Sequence, residues 1–302
     1  MSWDVRINAL FVLRPLNIKI SKKKYEYLLP QEVANHIEYV YNKYGANYIY
    51  FIDDDSFVNL SHVEGIIDEV NRRGLKVRLG FRGARINEIK KMSDEYLSKL
   101  AEAGTNIMHI GAESGSQRTL DLIKKNCTVE DIIEVNRKMA RHPEIKSAYN
   151  WIVGLPGETL EDLRQTQRMM LKLAEDNPNA IIFMPNKFRP LPGTELYDLA
   201  LKNGYAKPDR LEDWIDMEME SDYRPPWYTK KLANAMNMMQ VTSFFIDNKI
   251  FKVETGNTFK FKLFRILTVL YSPIARFRLR YGIFSMLIEY KVFHWFTSIY
   301  RT

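Results

Sequence analysis

Apolar residues along this chain follow two rhythms. Five stretches read as near-continuous apolar runs of β character, at 48–53, 76–82, 106–114, 147–154 and 180–189. Between them the apolar positions return at helical spacing. In 31–44 they are Val33, Ile37, Val40 and Tyr41, and in 61–73 they are Val63, Ile66, Ile67 and Val70, behind Ser61 as N-cap. Ser93 caps a segment carrying Tyr96, Leu97 and Leu100, Thr128 one carrying Ile132, Ile133 and Val135, and Thr159 a long one reaching Asp176. Gly45, Gly74 and Gly104 follow three successive segments about every 30 residues, the length of one βα unit, and glycine just past a helix takes the left-handed conformation without a Cβ clash. Continuous apolar strands alternating with amphipathic helices predict an α/β fold with a buried parallel sheet from about Gln31 to Gly204. Right-handed crossovers then place all strand C-termini on one side, where such folds bind ligands.

The pattern changes after Pro225-Pro226. Segments 230–250, 259–271 and 283–300 read as helical, aromatic and basic, so the boundary is set near 223–227, with one domain over 1–225 and a helical region over 226–302. The net charge of +7 is concentrated there: twelve Lys or Arg face three Asp or Glu after Pro226, so the tail is +9 and the body −2. A basic, aromatic tail suits a peripheral membrane surface, with nucleic acid the weaker fit, and equally an ordinary helical cap with a solvated basic face. No uncharged run reaches the roughly 18 apolar residues that span a bilayer, and Pro273 interrupts the best stretch. The N-terminus shows no basic region followed by an apolar run, so the expected setting is cytoplasmic, with membrane association through the tail. One cysteine, Cys127, excludes internal disulfides and a metal site of several thiolates.

Chemistry-bearing residues gather at the strand ends. The first run ends in Asp53-Asp54-Asp55, which suits a cation or an ammonium group, and equally a loop of capping aspartates. The second ends in Arg82-Gly83-Ala84-Arg85, where arginine can clamp a carboxylate or stand in solvent. The third, Gly111-Ala112-Glu113-Ser114-Gly115-Ser116, runs straight into a helix expected over 117–125. Gly111 and Gly115 let a ligand near the backbone, the helix start offers N–H groups, and Glu113 can accept ribose hydroxyls or an amine; the alternative is a tight turn capped by Ser116. The fourth end is Gly154-Leu155-Pro156-Gly157-Glu158-Thr159 and the fifth Arg189-Pro190-Leu191-Pro192-Gly193-Thr194.

Taken in order, Pro30–Val33, 51–57, 111–116, 154–159 and 190–196 resemble the radical S-adenosylmethionine (SAM) superfamily, in the branch that usually carries an N-terminal cobalamin-binding domain. The resemblance covers about 25–215 and implies a partial (βα)6 barrel with SAM across the strand ends. It places Asp54 and Asp55 near the amino end of SAM or the substrate, Glu113 and Ser114 beside its ribose or methionine, Ile152 and Gly154 by the adenine, and Arg85 on a carboxylate. It also implies a [4Fe–4S] cluster on a C-x3-C-x2-C loop upstream of Pro30. Soft thiolates are needed to hold that iron. Here the offsets fall near Val5, Ala9 and Val12, and no cysteine precedes Cys127. Cobalamin would belong only to a longer parent protein. Three readings stay open: an incomplete product of a longer gene, a degenerate relative that binds a ligand or partner without catalysis, and a complete enzyme of another reaction. The expected function is a radical SAM-type domain, inactive or incomplete as this chain, acting on an unidentified small molecule.

Overall fold

A computed structural model describes residues 27–53, 55–210, 212–214, 224–252, 259–284 and 288–291. Asp54, the segment around Val5–Val12 and most of 283–300 lie outside the described residues.

The elements alternate as expected. Helix α1 (Pro30–Tyr44) begins on a proline, whose missing N–H costs nothing in a first turn, and stops at Gly45 with φ +65°. Strand β1 (Tyr48–Phe51) leads to α2 (Leu60–Arg72), which is capped by Asn59 accepting the His62 N–H; Ser61 already lies inside the helix. Then follow β2 (Arg78–Phe81), β3 (Gly83–Arg85), α3 (Ile86–Lys91), α4 (Asp94–Glu102), β4 (Ile107–Glu113), α5 (Gln117–Leu122) and α6 (Val129–Ala140). Strand β5 (Lys146–Val153), α7 (Leu160–Asp176), β6 (Ala180–Ile182), β7 (Asn186–Lys187) and α8 (Glu195–Lys202) complete the body. Ser93, Thr128 and Thr159 cap α4, α6 and α7, the last two in reciprocal boxes with Asp131 and Asp162.

Among the described residues all strand pairs are parallel; β1-β2 and β3-β4-β5-β6 follow chain order, and β7 returns to pair with the end of β5. The run expected over 76–82 is divided. Its first part pairs with β1, and after Arg82 the chain pairs with β4 instead, while the Arg82 N–H still reaches the Phe51 carbonyl at 3.1 Å. A sheet that curls toward closure rotates each strand against the next, so one segment serves first one neighbour and then the other. The last run is also divided, because Pro185 has no N–H to donate between β6 and β7. Helix α5 ends at Leu122, not near Lys125, where Lys124 and Asn126 turn left-handed. Helix α3 lacks a readable apolar period and is held by Glu88 accepting the Arg85 N–H.

The two faces of this partial barrel differ. The outward side chains of the central strands, among them Met108, Ile110, Ala112, Tyr149, Trp151 and Val153, are wholly buried beneath the helices. Facing inward are Tyr48, Tyr50, His109, Gly111 and Asn150, none of them buried.

The tail folds onto the body. Helices α9 (Lys230–Ser243), α10 (Lys249–Lys252) and α11 (Phe259–Tyr281) follow, and Ala235, Met236, Met239, Ala275 and Leu279 join the core that covers the strands. Helix α11 runs unbroken through Pro273. Val269, whose carbonyl loses its partner there, is exposed to water, which tolerates the missing bond. Among the described residues no helix is long and apolar enough to cross a membrane.

A buried pair secures the tail to the sheet. Asp247 accepts the Ile182 N–H at the end of β6 and lies 3.5 Å from Lys249 Nζ, which also donates to the Ile182 carbonyl. Removing one member of a buried pair strands the other, at about 3–5 kcal/mol. Asp247→Ala should therefore lower the unfolding free energy by about 3 kcal/mol, read as a drop in urea midpoint; a loss below about 1 kcal/mol would show that the tail is held by apolar packing alone.

Candidate functional site

The C-terminal ends of β1 to β5 surround a cavity of about 470 Å³, inside the range of small-molecule sites. Tyr50 contributes from β1, Arg82 and Arg85 from the divided strand, His109, Gly111 and Glu113 from β4, Asn150 from β5, and Lys125 from beyond α5. Period-two alternation explains β4: every second side chain from Ile107 to Glu113 points inward.

A bulge turns the end of β4. Gly111 sits opposite Asn150 and Glu113 opposite Trp151, so two residues on β4 face one on β5. Glu113 takes φ +62°, a left-handed conformation that a non-glycine residue adopts at a cost of about 1–3 kcal/mol. Its carboxylate folds back to Lys125, 2.8 Å away, with both side chains 15% exposed. Gly111 makes room for this pair: a Cβ there would stand 2.5 Å from Glu113 Oε1 and 2.9 Å from Lys125 Nζ.

A second ion pair faces the same cavity. Arg85 Nε lies 2.7 Å from Asp55 Oδ2, and the Asp55 side chain is only 3% exposed. Among the described residues neither Asp55 oxygen has a hydrogen bond of ordinary geometry, so the Arg85 guanidinium is its charged partner. Glu88 lies alongside. Burial lifts its carboxyl to about 7, the Arg85 N–H pulls against that, and the negative Asp55 adds to it. His109 stacks on Phe183 at 5.5 Å between ring centroids; burial, then the Arg82 cation, hold its pKa below the ordinary value, which favours a neutral ring. The arrangement offers carboxylates for a cation and guanidinium groups for an anion within one small space.

The other expected site residues stand elsewhere. Ser114 and Gly115 are buried behind the strand end: Ser114 Oγ is 3.0 Å from Thr166 Oγ1, which also accepts the Gly115 N–H. A Cβ on Gly115 would strike Met169 and the Gln165 carbonyl, so this turn is shaped to pack on α7. Ile152 packs in a second apolar cluster with Ile123, Leu155, Phe188 and Leu196. Gly154 is covered by the segment before α9: Trp227 Nε1–H donates to its carbonyl at 3.0 Å, and a Cβ would lie 2.0 Å from Tyr228 Oη. The structure therefore gathers Asp55, Arg85, Gly111 and Glu113 around the cavity and leaves Ser114, Gly115, Ile152 and Gly154 off its lining. Arg82, from the second strand-end string, lines it too, and Tyr50, His109, Lys125 and Asn150 join it without having been singled out in the sequence. For His109 the signal was its alternation with Gly111 and Glu113, and for Asn150 a polar residue in an apolar strand. Lys125 had no signal, because it reaches back from beyond a short helix.

The family model of the radical SAM superfamily matches residues 15–170, more than half of the chain. The chain belongs to the radical SAM superfamily. Among curated relatives, the anaerobic magnesium-protoporphyrin IX monomethyl ester cyclase of Cereibacter sphaeroides is 30% identical over 164 residues, 54% of this chain and 26% of that protein. An uncharacterized methyltransferase of Pyrococcus horikoshii is 26% identical over 173 residues, 57% of this chain and 36% of that protein. These matches thus span about a quarter to a third of the relatives' length. Among solved structures, the cobalamin-dependent radical SAM enzyme OxsB, with aqua-cobalamin and SAM bound, superposes with a TM-score of 0.64 at 14% identity, covering 99% of this chain and 49% of that one. Without SAM it gives 0.62 at 16% identity. This likeness establishes the radical SAM barrel as the fold, and the superfamily is defined by SAM and a [4Fe–4S] cluster.

Glu158, in the turn after β5, is almost wholly buried. It accepts the Gly154 and Leu155 N–H groups through Oε2, while Oε1 has no hydrogen-bond partner among the described residues. Burial pushes its carboxyl up to about 8 against those two N–H groups. The folded chain therefore holds a proton that the unfolded chain releases near pH 4.5, and stability should fall with rising pH from about 5 to about 8, then level off. The full effect is on the order of a few kcal/mol. Glu158→Gln should flatten this slope and raise the urea midpoint at pH 8.5 more than at pH 5; parallel profiles of variant and parent would assign the slope to other groups.

Proposed function

We propose that this chain is a SAM-binding radical SAM-type domain whose own residues bind the nucleoside without supplying the cluster that cleaves it. The observation that carries the reading is the pair of ion pairs, Glu113–Lys125 and Asp55–Arg85, facing one cavity at the strand ends. SAM ends in an α-amino acid. Its ammonium can replace Lys125 at Glu113 or meet the Asp55 oxygens, and its carboxylate can replace Asp55 at Arg85. With the ammonium on Asp55 and the carboxylate on Arg85, the zwitterion enters between the two members of that pair, so neither charge is left alone. Asn150 and Tyr50 offer neutral hydrogen bonds beside the pairs. When bound, SAM supplies a sulfonium open to one-electron reduction.

The cluster is a different matter. Three thiolates are required, and the only cysteine, Cys127, is buried, with burial pushing its thiol up to about 11. Among the described residues no group of His, Cys, Asp or Glu is placed to hold a metal ion. The donor set of this chain does not fit a [4Fe–4S] cluster, and no reductive step follows from it. Cobalamin, substrate and any activity of a longer protein stand as family expectations.

Isothermal titration of the whole chain with SAM should show binding that Glu113→Gln and Arg85→Met each weaken about ten- to a hundredfold, the value of a charged hydrogen bond. Ser114→Ala, behind the turn, should change affinity no more than about twofold while lowering the urea midpoint, since a buried hydroxyl bond is worth about 1 kcal/mol. Failure of the parent chain to bind SAM, or unchanged affinity in Glu113→Gln, would sink the assignment. Anaerobic reconstitution with iron and sulfide should leave the chain without stoichiometric iron or cluster absorbance; a stable cluster would reverse the conclusion drawn from the cysteines.

A further inference from the structure

Helix α11 turns much of its apolar surface outward. Among the described side chains, the face toward the protein carries Thr268, Ser272 and Ala275, all buried, together with Leu279 and the half-buried Tyr271. The opposite face carries Ile266, Leu270, Ile274, Phe277 and Tyr281, at spacings of four, four, three and four, which align them in one stripe. All are exposed, Leu270 by 67% and Phe277 by 56%, and Leu267 widens the stripe. Single exposed apolar residues are ordinary, but a contiguous helical stripe of them is a binding surface.

The charge of the helix identifies its partner. Helix α11 contains no acidic residue, and exposed basic side chains border the stripe along one edge. Lys262 and Arg280, both exposed, lie along one edge one turn or so from Ile266 and Phe277, while Arg278 at the other edge is buried and held by Glu289 at 2.5 Å. Glu175 on α7 meets Arg280 at 2.6 Å and Arg276 at 3.6 Å, which fixes the roll of the helix and leaves the stripe outward. An apolar stripe about 100° wide with a cationic edge is the geometry of a helix lying in a bilayer interface, with apolar side chains among acyl chains and cations at headgroup level. Tyr281 and Phe277, whose rings lie 4.7 Å apart, match the depth at which aromatic rings settle.

We propose that α11 docks this protein in-plane on an anionic lipid surface, through the stripe from Ile266 to Tyr281. The proposal is independent of SAM binding at the strand ends.

The test is flotation of the full chain with vesicles of phosphatidylcholine alone and of phosphatidylcholine mixed with phosphatidylglycerol. Recovery should be at least about tenfold greater with the anionic vesicles and should fall as salt is raised toward 0.5 M, where exposed charges are screened. Leu270→Gln combined with Phe277→Gln should lower recovery about tenfold or more with an unchanged melting temperature, since neither side chain packs inside. In a second readout, Phe277→Trp should shift its emission to the blue on adding anionic vesicles. Equal recovery with neutral vesicles, undiminished recovery of the double variant, or no recovery at all overturns the proposal. So does elution of the parent chain as a dimer that the double variant breaks, with no lipid binding in either, which would assign the stripe to a second copy of this chain.

Discussion

The outward faces of two strands decide where everything else in this protein stands. Met108, Ile110 and Ala112 on β4 and Tyr149, Trp151 and Val153 on β5 leave no surface to solvent. Each of the larger ones gains about 1.5–3 kcal/mol from leaving water, so a slip of one residue in either strand would turn that set inward and expose it. The register is therefore held, and with it the inward set of His109, Gly111 and Asn150. The polar cavity is a consequence of the apolar shell. Parallel strands covered by helices on one side give their other side to chemistry, and the common strand direction brings that chemistry to one rim.

The bulge at the end of β4 is where this logic is bent to use. By strict alternation Glu113 already faces inward, but an ordinary strand would carry its carboxylate away along the strand axis. The left-handed turn at Glu113 and the missing side chain at Gly111 fold it back onto Lys125. Behind the turn, Ser114 and Gly115 are gripped by Thr166, and Ser116 by Asp162. Burial opposes the charge on Asp162, yet hydrogen bonds from Arg118, Ser116 and Thr159 hold its carboxyl well below the usual range. The strained residue is thus fixed by an anionic anchor on a different element, which is how a local backbone cost persists in a stable fold. The short string from Gly111 to Ser116 divides its labour: the first half shapes the site, and the second half immobilises the first.

That division explains what could be read in the sequence. The strands, the caps at Ser93, Thr128 and Thr159 and the rim position of Asp55, Arg85 and Glu113 are local or periodic features, visible in neighbouring residues. The bend at Arg82 was not, since it depends on which strand lies alongside at each point of a curling sheet. The roles of Ser114 and Gly115 were hidden for a related reason. Glycine and serine at a strand end serve a ligand or a neighbouring helix equally well, and only the approach of α7 separates the two. Lys125 was invisible because its position depends on α5 stopping after six residues at a left-handed turn. The tail misled in one respect, for Pro273 reads as a break and is carried within a helix whose exposed side can do without one hydrogen bond.

Helix α7 connects the strand-end site to the tail. Its first two turns hold the rim through Asp162 and Thr166, and its last turn holds α11 through Glu175. Near its start, Arg164 lies over the Phe284 ring beyond the end of α11, so α11 lies antiparallel along α7. This matters for the outward stripe. An isolated amphipathic segment reaching a surface must first order its backbone, at about 1–2 kcal/mol per residue. In α11 that order is already provided by Ala275 and Leu279 in the core and by the ion pairs to Glu175. Each apolar side chain it offers is then available to a partner at full value, and a stripe of five or six becomes a strong surface on a helix far too charged to enter a bilayer.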